Sequence, residues 1–297
     1  WFDSGAMPYA QLHYPFENKE LIDNKKYYPA DFIAEGVDQT RGWFFTLHAI
    51  ATMNFDSVAY KNVVSNGLVL DKNGNKMSKR LGNAVDPFIT IDKYGADATR
   101  WYMIANAAPW DNLKFDVDGI SEVQRQLFGT LYNTYGFYAL YANVDNFLID
   151  EKNIVPVKDR QELDRWILSK LHSLIKDTTE LYETFEPHRA ARLIEEFVDQ
   201  HLSNWYVRLS RRRFWKGEMS TDKKAAYETL HECLLVVAQL MSPIAPFFGD
   251  WMYQNLTTPI REKVITNKTP LQSESIHLTE LGKAEKNIID VELEQRI

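Results

Sequence analysis

The chain has 297 residues, of which 45% are hydrophobic and 25% are charged, a composition typical of a globular protein large enough for two packed cores. The net charge of −7 argues against general affinity for nucleic acid, so any RNA contact requires a local basic patch. The single cysteine excludes a disulfide framework and a thiolate zinc site, which predicts the reducing cytoplasm as the location. The longest apolar run is too short to cross a bilayer, which predicts a soluble protein without a membrane partner.

The first part of the chain, up to about residue 119, alternates short apolar runs with helix-like stretches, which predicts an α/β region. The apolar runs include Val63-Val64 and Leu68 to Leu70, and the helix-like stretches include Arg41 to Met53. The pair Asn73-Gly74 directly after the second run predicts a tight hairpin whose two central residues have positive φ. A loop rich in lysine follows this turn.

Beyond Ser121 the apolar residues recur at spacings of three and four, which predicts long helices and no strands for over a hundred residues. One of these helices starts near Pro187, since proline is a favourable residue in the first turn. The same spacing predicts that this helix buries Leu202, Trp205 and Leu209 on one face.

A further helix is predicted from Asp222 to Met241, followed by a proline-rich break from Ser242 to Pro246 and a shorter helix. The second half is therefore expected to be an antiparallel helix bundle. The charged segment from Asp150 to Arg160, which contains Pro156, is the predicted linker into this bundle. The predicted divisions are an α/β segment at 1–119, a helical connector at 120–160 and the bundle at 161–297.

The loop Lys76-Met77-Ser78-Lys79-Arg80 carries two lysines and an arginine, with Gly74 and Gly82 beside it as candidate hinges. Phosphoryl and adenylyl transfer need cations on the oxygens that gain charge in the transition state, and a lysine on a flexible stem meets that need. An arbitrary K-x-x-K is more often a solvated basic turn. The full string and its hairpin context favour a clamp for polyphosphate.

This string resembles the K-M-S-K-S signature of class I aminoacyl-tRNA synthetases, with Arg80 in place of the last serine. Upstream, Glu35 to Phe44 resembles the G-x-D-Q-x-R-G-W-F segment that distinguishes the isoleucyl enzymes from their valyl and leucyl relatives. A glycine there permits close backbone approach, and Asp38 and Gln39 can hydrogen-bond a ribose and an acyl group. Trp1 to Gly5 resembles the segment that leads from the editing domain back into the catalytic fold.

The resemblance implies the second half of a Rossmann-type catalytic domain followed by an all-α anticodon-binding bundle. It also implies a two-step reaction, in which isoleucine attacks the α-phosphate of ATP and the aminoacyl group then passes to tRNA(Ile). Lys76 and Lys79 would hold the leaving pyrophosphate as catalytic residues. The residues implied to bind ATP or the adenylate are Trp1, Glu35, Gly36, Asp38, Gln39 and Lys79. ATP is the substrate, Mg²⁺ is implied with it, and no metal site is predicted within the chain.

Asp97 and the histidines are expected to have structural roles and not catalytic ones. Tyr94 to Arg100 is similar to the family's Y-G-A-D-A-x-R, and Asp97 near a helix start is expected to act as a cap or dipole partner. The seven histidines are scattered singly and lack the spacing of a metal site or of a nucleophile's base. They are expected to be surface or packing residues.

The segment Ser203 to Trp215 interleaves aromatic residues with four arginines and resembles the family's anticodon-domain helix. Its arginines include members at i, i+3 and i+4, which can form one basic face. Arginine suits RNA because its planar fork bridges phosphates and stacks on unpaired bases. A solvated helix end is equally favoured by the residues alone, but the resemblance favours RNA and implies tRNA contacts at Trp205, Arg208, Arg211, Arg212 and Arg213.

One departure from the family is the absence of its first signature, H-I-G-H, together with the first catalytic half and the editing insert. The chain also opens without an initiator methionine and stops within a helix-like run, so it is expected to be an internal piece of a ligase, inert by itself and monomeric. Its partners would be tRNA(Ile), L-isoleucine and ATP. The alternatives are a non-catalytic tRNA-binding module and a valyl or leucyl synthetase fragment, although the Asp38-Gln39 pattern argues against the latter.

Overall fold

The computed structural model describes residues 1–263, 271 and 273–297. The chain forms two compact units, the first comprising Trp1–Ala84 with Ala107–Phe115 and the second comprising Val85–Asn106 with Asp116–Ile297. The range Val85–Asn106 thus belongs to the second unit, although the sequence grouped it with the α/β segment. The assignment of 1–119, 120–160 and 161–297 to separate functional domains stays a prediction.

Unit 1 is built around a βαβ motif. Its elements are α1 (Phe2–Ala10), α2 (Lys19–Asp23), β1 (Ala30–Gly36), a 3₁₀ helix (Val37–Arg41), α3 (Trp43–Phe55), β2 (Tyr60–Asn66), β3 (Val69–Leu70), a 3₁₀ turn (Lys79–Leu81) and β4 (Leu113–Lys114). Strands β1 and β2 are parallel, from Ala30 opposite Tyr60 to Gly36 opposite Asn66, and α3 forms the crossover between them. Strands β3 and β4 form a second parallel pair. The α/β prediction for this region is confirmed.

Helix α1 lies against α3 with little space between the two backbones. A Cβ atom on Gly5 would lie 2.9 Å from the carbonyl carbon of Thr46, so only glycine permits this approach. Near the ends of the two helices, the stacked rings of Tyr9 and Phe55 have their centroids 4.6 Å apart. The Trp43 indole N–H donates to the Ser4 carbonyl over 2.9 Å. These contacts hold α1 alongside α3 from the beginnings of the two helices to their ends.

The predicted hairpin exists, but its turn differs from the prediction. The Gly74 amide donates to the Asp71 carbonyl over 2.9 Å, the Asp71 amide donates to the Asn75 carbonyl over 2.8 Å, and Leu70 bridges to Lys76 in antiparallel fashion. Only Gly74 has a positive φ, of 86°, so positive φ at both central residues was wrong. The turn takes one more residue, with the glycine in the left-handed position that follows a type I turn.

In the part of unit 2 that the structure describes, the regular elements are helices, which irregular segments connect. Its elements are α4 (Pro87–Tyr94), α5 (Ala96–Asn106), α6 (Val117–Val123), a π segment (Gln124–Phe128), α7 (Gly129–Val144), a 3₁₀ turn (Val157–Asp159), α8 (Glu162–Glu183), α9 (Pro187–Glu196), a second π segment (Phe197–Val207), α10 (Arg208–Trp215), α11 (Thr221–Met241), α12 (Pro246–Lys263), a 3₁₀ turn (Ile276–Leu278) and α13 (Val291–Arg296). The predicted helices from Pro187 and from Asp222 to Met241 are confirmed. No helix in the described ranges combines the length and apolarity needed to cross a membrane.

The helix that begins at Pro187 buries a different face from the predicted one. Leu202 is buried as expected, but Trp205 is 43% and Leu209 is 52% exposed, so the prediction that both lie in the core was wrong. The cause is the π segment Phe197–Val207, whose wider turns delay the buried stripe by about one residue. Tyr206 and Phe214 take the core positions instead.

Asp97 has the structural role that was predicted, but it serves another helix. One carboxylate oxygen accepts the backbone amide of Phe248 over 2.7 Å, in the first turn of α12. The other accepts from Arg100 over 2.9 Å. The carboxylate therefore satisfies an unpaired donor at the positive end of α12.

The predicted linker from Asp150 to Arg160 is irregular apart from one 3₁₀ turn, and it is anchored within unit 2. Arg160 is buried and donates to the Val155 carbonyl over 2.9 Å and to the Thr229 hydroxyl over 2.9 Å. The Val155 amide donates to the Glu228 carboxylate over 2.9 Å. These bonds attach the segment to α11.

Candidate active-site segments and the arginine helix

The polar segment Glu35 to Gln39 lies where strand β1 ends. Glu35 and Gly36 are the last residues of β1 and stand opposite Ser65 and Asn66 of β2. Ligands in α/β proteins bind at this carboxyl edge of parallel strands. Asn66 therefore belongs with the candidate site, although the sequence analysis missed it. The only signal was a polar residue and a glycine at the end of an apolar run.

The side chains of Asp38 and Gln39 are held together and against the start of α3. The Gln39 amide nitrogen donates to the Asp38 carboxylate over 3.0 Å, and the Gln39 amide oxygen accepts the Trp43 backbone N–H over 3.1 Å. A Cβ atom on Gly36 would lie 2.7 Å from an Asp38 carboxylate oxygen. Any side chain at position 36 would therefore displace Asp38.

Trp1 lies beside this pair. A Cβ atom on Gly42 would lie 3.0 Å from the Trp1 indole and 2.9 Å from the Gln39 amide oxygen. The indole is 73% exposed, so one side of the ring is available to a ligand. The structure thus brings Trp1, Gly36, Asp38 and Gln39 together, while their contacts with an adenylate stay a prediction.

The lysine-rich loop leaves its cations in solvent while its backbone is ordered. Lys76, Lys79 and Arg80 are all exposed. The Ser78 hydroxyl accepts the Arg80 amide over 3.2 Å, which caps the 3₁₀ turn Lys79–Leu81. Gly82 follows with a φ of 67°. Among the hydrogen bonds of the described residues, none joins this loop to Glu35 to Gln39, so a ligand would have to link the two groups.

The segment Ser203 to Trp215, here called the arginine helix, exposes four of the five residues predicted to contact tRNA. Arg208, Arg211 and Arg212 are exposed, as is Trp205. Trp215 is also 57% exposed, although the sequence predicted no role for it. Together these side chains form a solvent-facing surface of cations and aromatic rings, here called the arginine surface.

Arg213 does not belong to this surface. It is 8% exposed, and its two terminal nitrogens each donate to one oxygen of Asp164 over 2.7 Å. Asp164 is fully buried and also accepts the Tyr206 hydroxyl over 2.6 Å, while Asp222 forms a second ion pair with Arg213 at 2.8 Å. Burial acts to lower the pKa of Arg213, but the hydrogen bonds and charges contributed by Asp164, Tyr206 and Asp222 together outweigh it and raise that pKa. The guanidinium is thus used within the bundle, which corrects its assignment to RNA.

The Mg²⁺ implied by the resemblance finds no evident ligand set. Within 1–263, 271 and 273–297, no three or more histidine, cysteine, aspartate or glutamate side chains are placed to hold a metal ion. Carboxylates placed together are what a protein offers to Mg²⁺. No catalytic step is therefore assigned to a metal held by this chain.

Comparison with known proteins finds synthetase families in both the first and the second part of the chain. Residues 1–116 match the family of tRNA synthetases class I (I, L, M and V), and residues 164–297 match the anticodon-binding domain of tRNA ligase. Over its whole length the chain is 64% identical to the isoleucine–tRNA ligase of Bacteroides thetaiotaomicron, of which it covers 25%, and 63% identical to that of Cytophaga hutchinsonii, of which it covers 26%. This chain belongs to the isoleucyl-tRNA synthetase family.

Another member of the isoleucyl-tRNA synthetase family is less similar to this chain. The ligase of Thermus thermophilus is 46% identical over 98% of this chain, which covers 27% of that protein. The chain thus spans about a quarter of the length of the curated relatives it matches. The resemblance seen in the signature segments is confirmed.

Solved structures of synthetases share the fold. A leucyl-tRNA synthetase of Agrobacterium radiobacter, solved with tRNA and LeuAMS, matches 89% of this chain and 30% of its own with a TM-score of 0.69 and 18% identity. The methionyl-tRNA synthetase of Mycobacterium tuberculosis, solved with methionyl-adenylate, matches 79% and 45% with a TM-score of 0.65 and 19% identity. At these identities the likeness concerns the fold alone. A class I catalytic-domain fragment followed by an anticodon-binding domain is confirmed as the fold class.

Proposed function

We propose that this chain is part of an isoleucine–tRNA ligase that activates isoleucine with ATP and transfers it to tRNA(Ile). The proposal rests on the presence of two features in unit 1. One is an exposed loop with Lys76 and Lys79, and the other is a polar segment at the carboxyl edge of β1 and β2. The bacterial relatives that are 63–64% identical to this chain bear the name of this ligase. A Rossmann-type half-domain accounts for the βαβ motif and for the position of the polar residues.

In the first step the protein mainly has to stabilise the negative charge that develops on the leaving group. The isoleucine carboxylate oxygen attacks the α-phosphorus of ATP, the bond from that phosphorus to the bridging oxygen breaks, and pyrophosphate leaves with the negative charge. Lys76 and Lys79 bind the oxygens that gain this charge. Because both lysines are exposed in the structure, they are available to a polyphosphate.

The remaining adenylate contacts come from the segment at the end of β1. Asp38 suits the ribose hydroxyls, and Gln39 suits the acyl or phosphate oxygens. Gly36 allows the backbone to approach the ligand, with Glu35 beside it and Trp1 toward the amino-acid side. ATP is thus a substrate, with Mg²⁺ as its counter-ion. A monomeric state and a cytoplasmic location stay predictions.

Isoleucine is favoured over valine and leucine by the names of the relatives and by the Asp38-Gln39 segment. Isoleucine and valine differ by one methylene, which binding alone distinguishes by about 10- to 200-fold. A measurement of ATP–pyrophosphate exchange by the full-length protein with each amino acid tests the assignment. Exchange fastest with valine or leucine would replace it, and exchange with none of the three would favour the non-catalytic tRNA-binding module.

The isolated chain is expected to show no isoleucine-dependent ATP–pyrophosphate exchange. It spans a quarter of its relatives and lacks the H-I-G-H signature, so the nucleotide pocket is incomplete. The measurement compares equal concentrations of this chain and of the full-length protein under the same conditions. Exchange by the isolated chain above the background without isoleucine would contradict this expectation.

The arginine surface is proposed to bind tRNA, with the arginines on phosphates and the tryptophans stacked on unpaired bases. The triple variant Arg208→Ala, Arg211→Ala, Arg212→Ala is expected to weaken binding of tRNA(Ile). It should also reduce the slope of log K against log salt by about 1 for each phosphate that an arginine no longer neutralises. Fluorescence anisotropy at several salt concentrations measures both quantities.

The matched control is the triple variant Lys176→Ala, Arg189→Ala, Lys158→Ala, which removes the same charge from exposed positions outside the arginine surface. An unrelated tRNA is titrated in parallel. If both triple variants lose the same affinity, the arginine surface contributes only net charge and the proposed tRNA site is wrong.

A further inference from the structure

The backbone of the lysine loop is held by one side chain that the signature does not include. The Asn83 amide oxygen accepts the Ser78 backbone N–H over 2.8 Å, and the Asn83 amide nitrogen lies 3.3 Å from the Lys76 carbonyl oxygen, to which it donates. Gly82, with a φ of 67°, turns the chain so that Asn83 lies alongside the loop it follows. One amide group thus fixes the peptide units on both sides of Met77.

Asp71 holds Asn83 in place from the hairpin. One Asp71 carboxylate oxygen accepts the Asn83 amide nitrogen over 2.9 Å, and the other accepts the backbone amides of Asn73 and Asn75 over 3.0 and 2.8 Å. The hydrogen bond from Asn83 is the largest of the effects that lower the pKa of Asp71. The carboxylate is therefore ionised at neutral pH, and it orients the Asn83 amide so that its oxygen faces Ser78.

We propose that Asp71 and Asn83 are positioning residues for the adenylation step, which hold the backbone between Lys76 and Lys79 so that both ammonium groups meet the phosphates of ATP. The inference rests on the proposed function of the lysine loop. Lysine side chains are long and flexible, so their placement depends on a fixed backbone beneath them. Backbone contacts also close the hairpin, because Leu70 bridges to Lys76 and the Asp71 amide bonds to the Asn75 carbonyl.

The decisive experiment exchanges the two side chains in the full-length protein. Asn83→Asp places a second carboxylate against Asp71. Asp71→Asn leaves one acceptor oxygen in place of two, so its nitrogen faces either the Asn83 amide nitrogen or the backbone amides of Asn73 and Asn75. The double variant Asp71→Asn, Asn83→Asp restores a donor facing an acceptor. It also keeps acceptors for the backbone amides of Ser78, Asn73 and Asn75, whereas the long bonds from Asn83 to the Lys76 carbonyl and from the Asn75 side chain to Asp71 are absent from it.

Each single variant is expected to lower kcat for isoleucine-dependent ATP–pyrophosphate exchange by about 10- to 100-fold, the effect of misplacing a catalytic group by about 1 Å. The KM for ATP should change by less than about threefold, because the lysines act on charge that develops in the transition state. The double variant should recover most of the lost kcat. Transfer of isoleucine from preformed adenylate to tRNA(Ile) should be unchanged in all three, since pyrophosphate has already left.

The control is Asn24→Ala, an exposed asparagine at the end of α2, which should exchange at the wild-type rate. Normal kcat in Asn83→Asp, or a double variant no better than the worse single variant, would overturn the positioning role. Loss of the transfer step along with exchange would show a folding defect instead and would also overturn it. Absence of exchange in the wild-type full-length protein would refute the proposed function itself, and so the two failures are distinguishable.

Discussion

Replacement of Lys79 by alanine in the full-length protein is expected to lower kcat for isoleucine-dependent ATP–pyrophosphate exchange by about 100- to 1000-fold, the usual loss for one group that stabilises a developing charge. Lys79 begins the 3₁₀ turn that Ser78 caps, so its backbone is fixed while its side chain is exposed. The missing ammonium group has no substitute at that position. Initial rates at saturating ATP and isoleucine measure the effect.

The matched control for Lys79 is Lys72→Ala, which removes an exposed lysine from the turn of the same hairpin. Its effect on kcat should be less than about threefold, because screening in water weakens a charge that does not touch the substrate. Charging of tRNA(Ile) from preformed adenylate should survive in Lys79→Ala. Unchanged exchange in Lys79→Ala would remove the lysine from the catalytic residues.

Replacement of Arg213 by methionine is expected to lower the free energy of unfolding by about 3 to 5 kcal/mol, because it leaves a fully buried carboxylate without its cation. Asp164 receives two hydrogen bonds from Arg213 at 2.7 Å, and the Tyr206 hydroxyl that remains cannot neutralise its charge. Urea unfolding of this chain, followed by far-ultraviolet circular dichroism, gives the free energy.

The neighbouring variant Arg212→Met is the control and should change the free energy of unfolding by no more than about 0.5 kcal/mol, since Arg212 is exposed. The double variant Arg213→Met, Asp164→Leu should recover much of the stability, because an apolar pair replaces the buried ions without an uncompensated charge. A loss below about 1 kcal/mol in Arg213→Met would contradict the buried network and reopen an RNA contact for Arg213.

The helices were predictable from the sequence because their signals are local. The helix from Asp222 to Met241 carries apolar residues at helical spacing, and Pro187 sits in the first turn of α9 as expected. The burial of individual positions within the long arginine helix was less predictable. The π segment depends on tertiary packing, so Trp205 and Leu209 face solvent in place of Tyr206 and Phe214.

In the candidate site, too, local features were predictable from the sequence and long-range pairings were not. The residues Glu35, Gly36, Asp38 and Gln39 were found as one segment, since their spacing is a property of the sequence. Asn66 was missed because only the parallel pairing of β1 and β2 places it opposite Gly36. That pairing joins positions thirty residues apart, and no local pattern specifies it.

By itself the sequence determined the synthetase family, the lysine loop, the change from an α/β segment to a helical one, and the existence of a basic helix. Only the tertiary structure decided that Arg213 lies in a buried ion pair with Asp164, 49 residues away, and that Asn83 reaches back to Asp71. Spacing and turn residues act over a few positions along the chain. Partners of buried charges and loop-fixing amides are chosen by the path of the whole backbone, which brings distant residues within hydrogen-bonding distance.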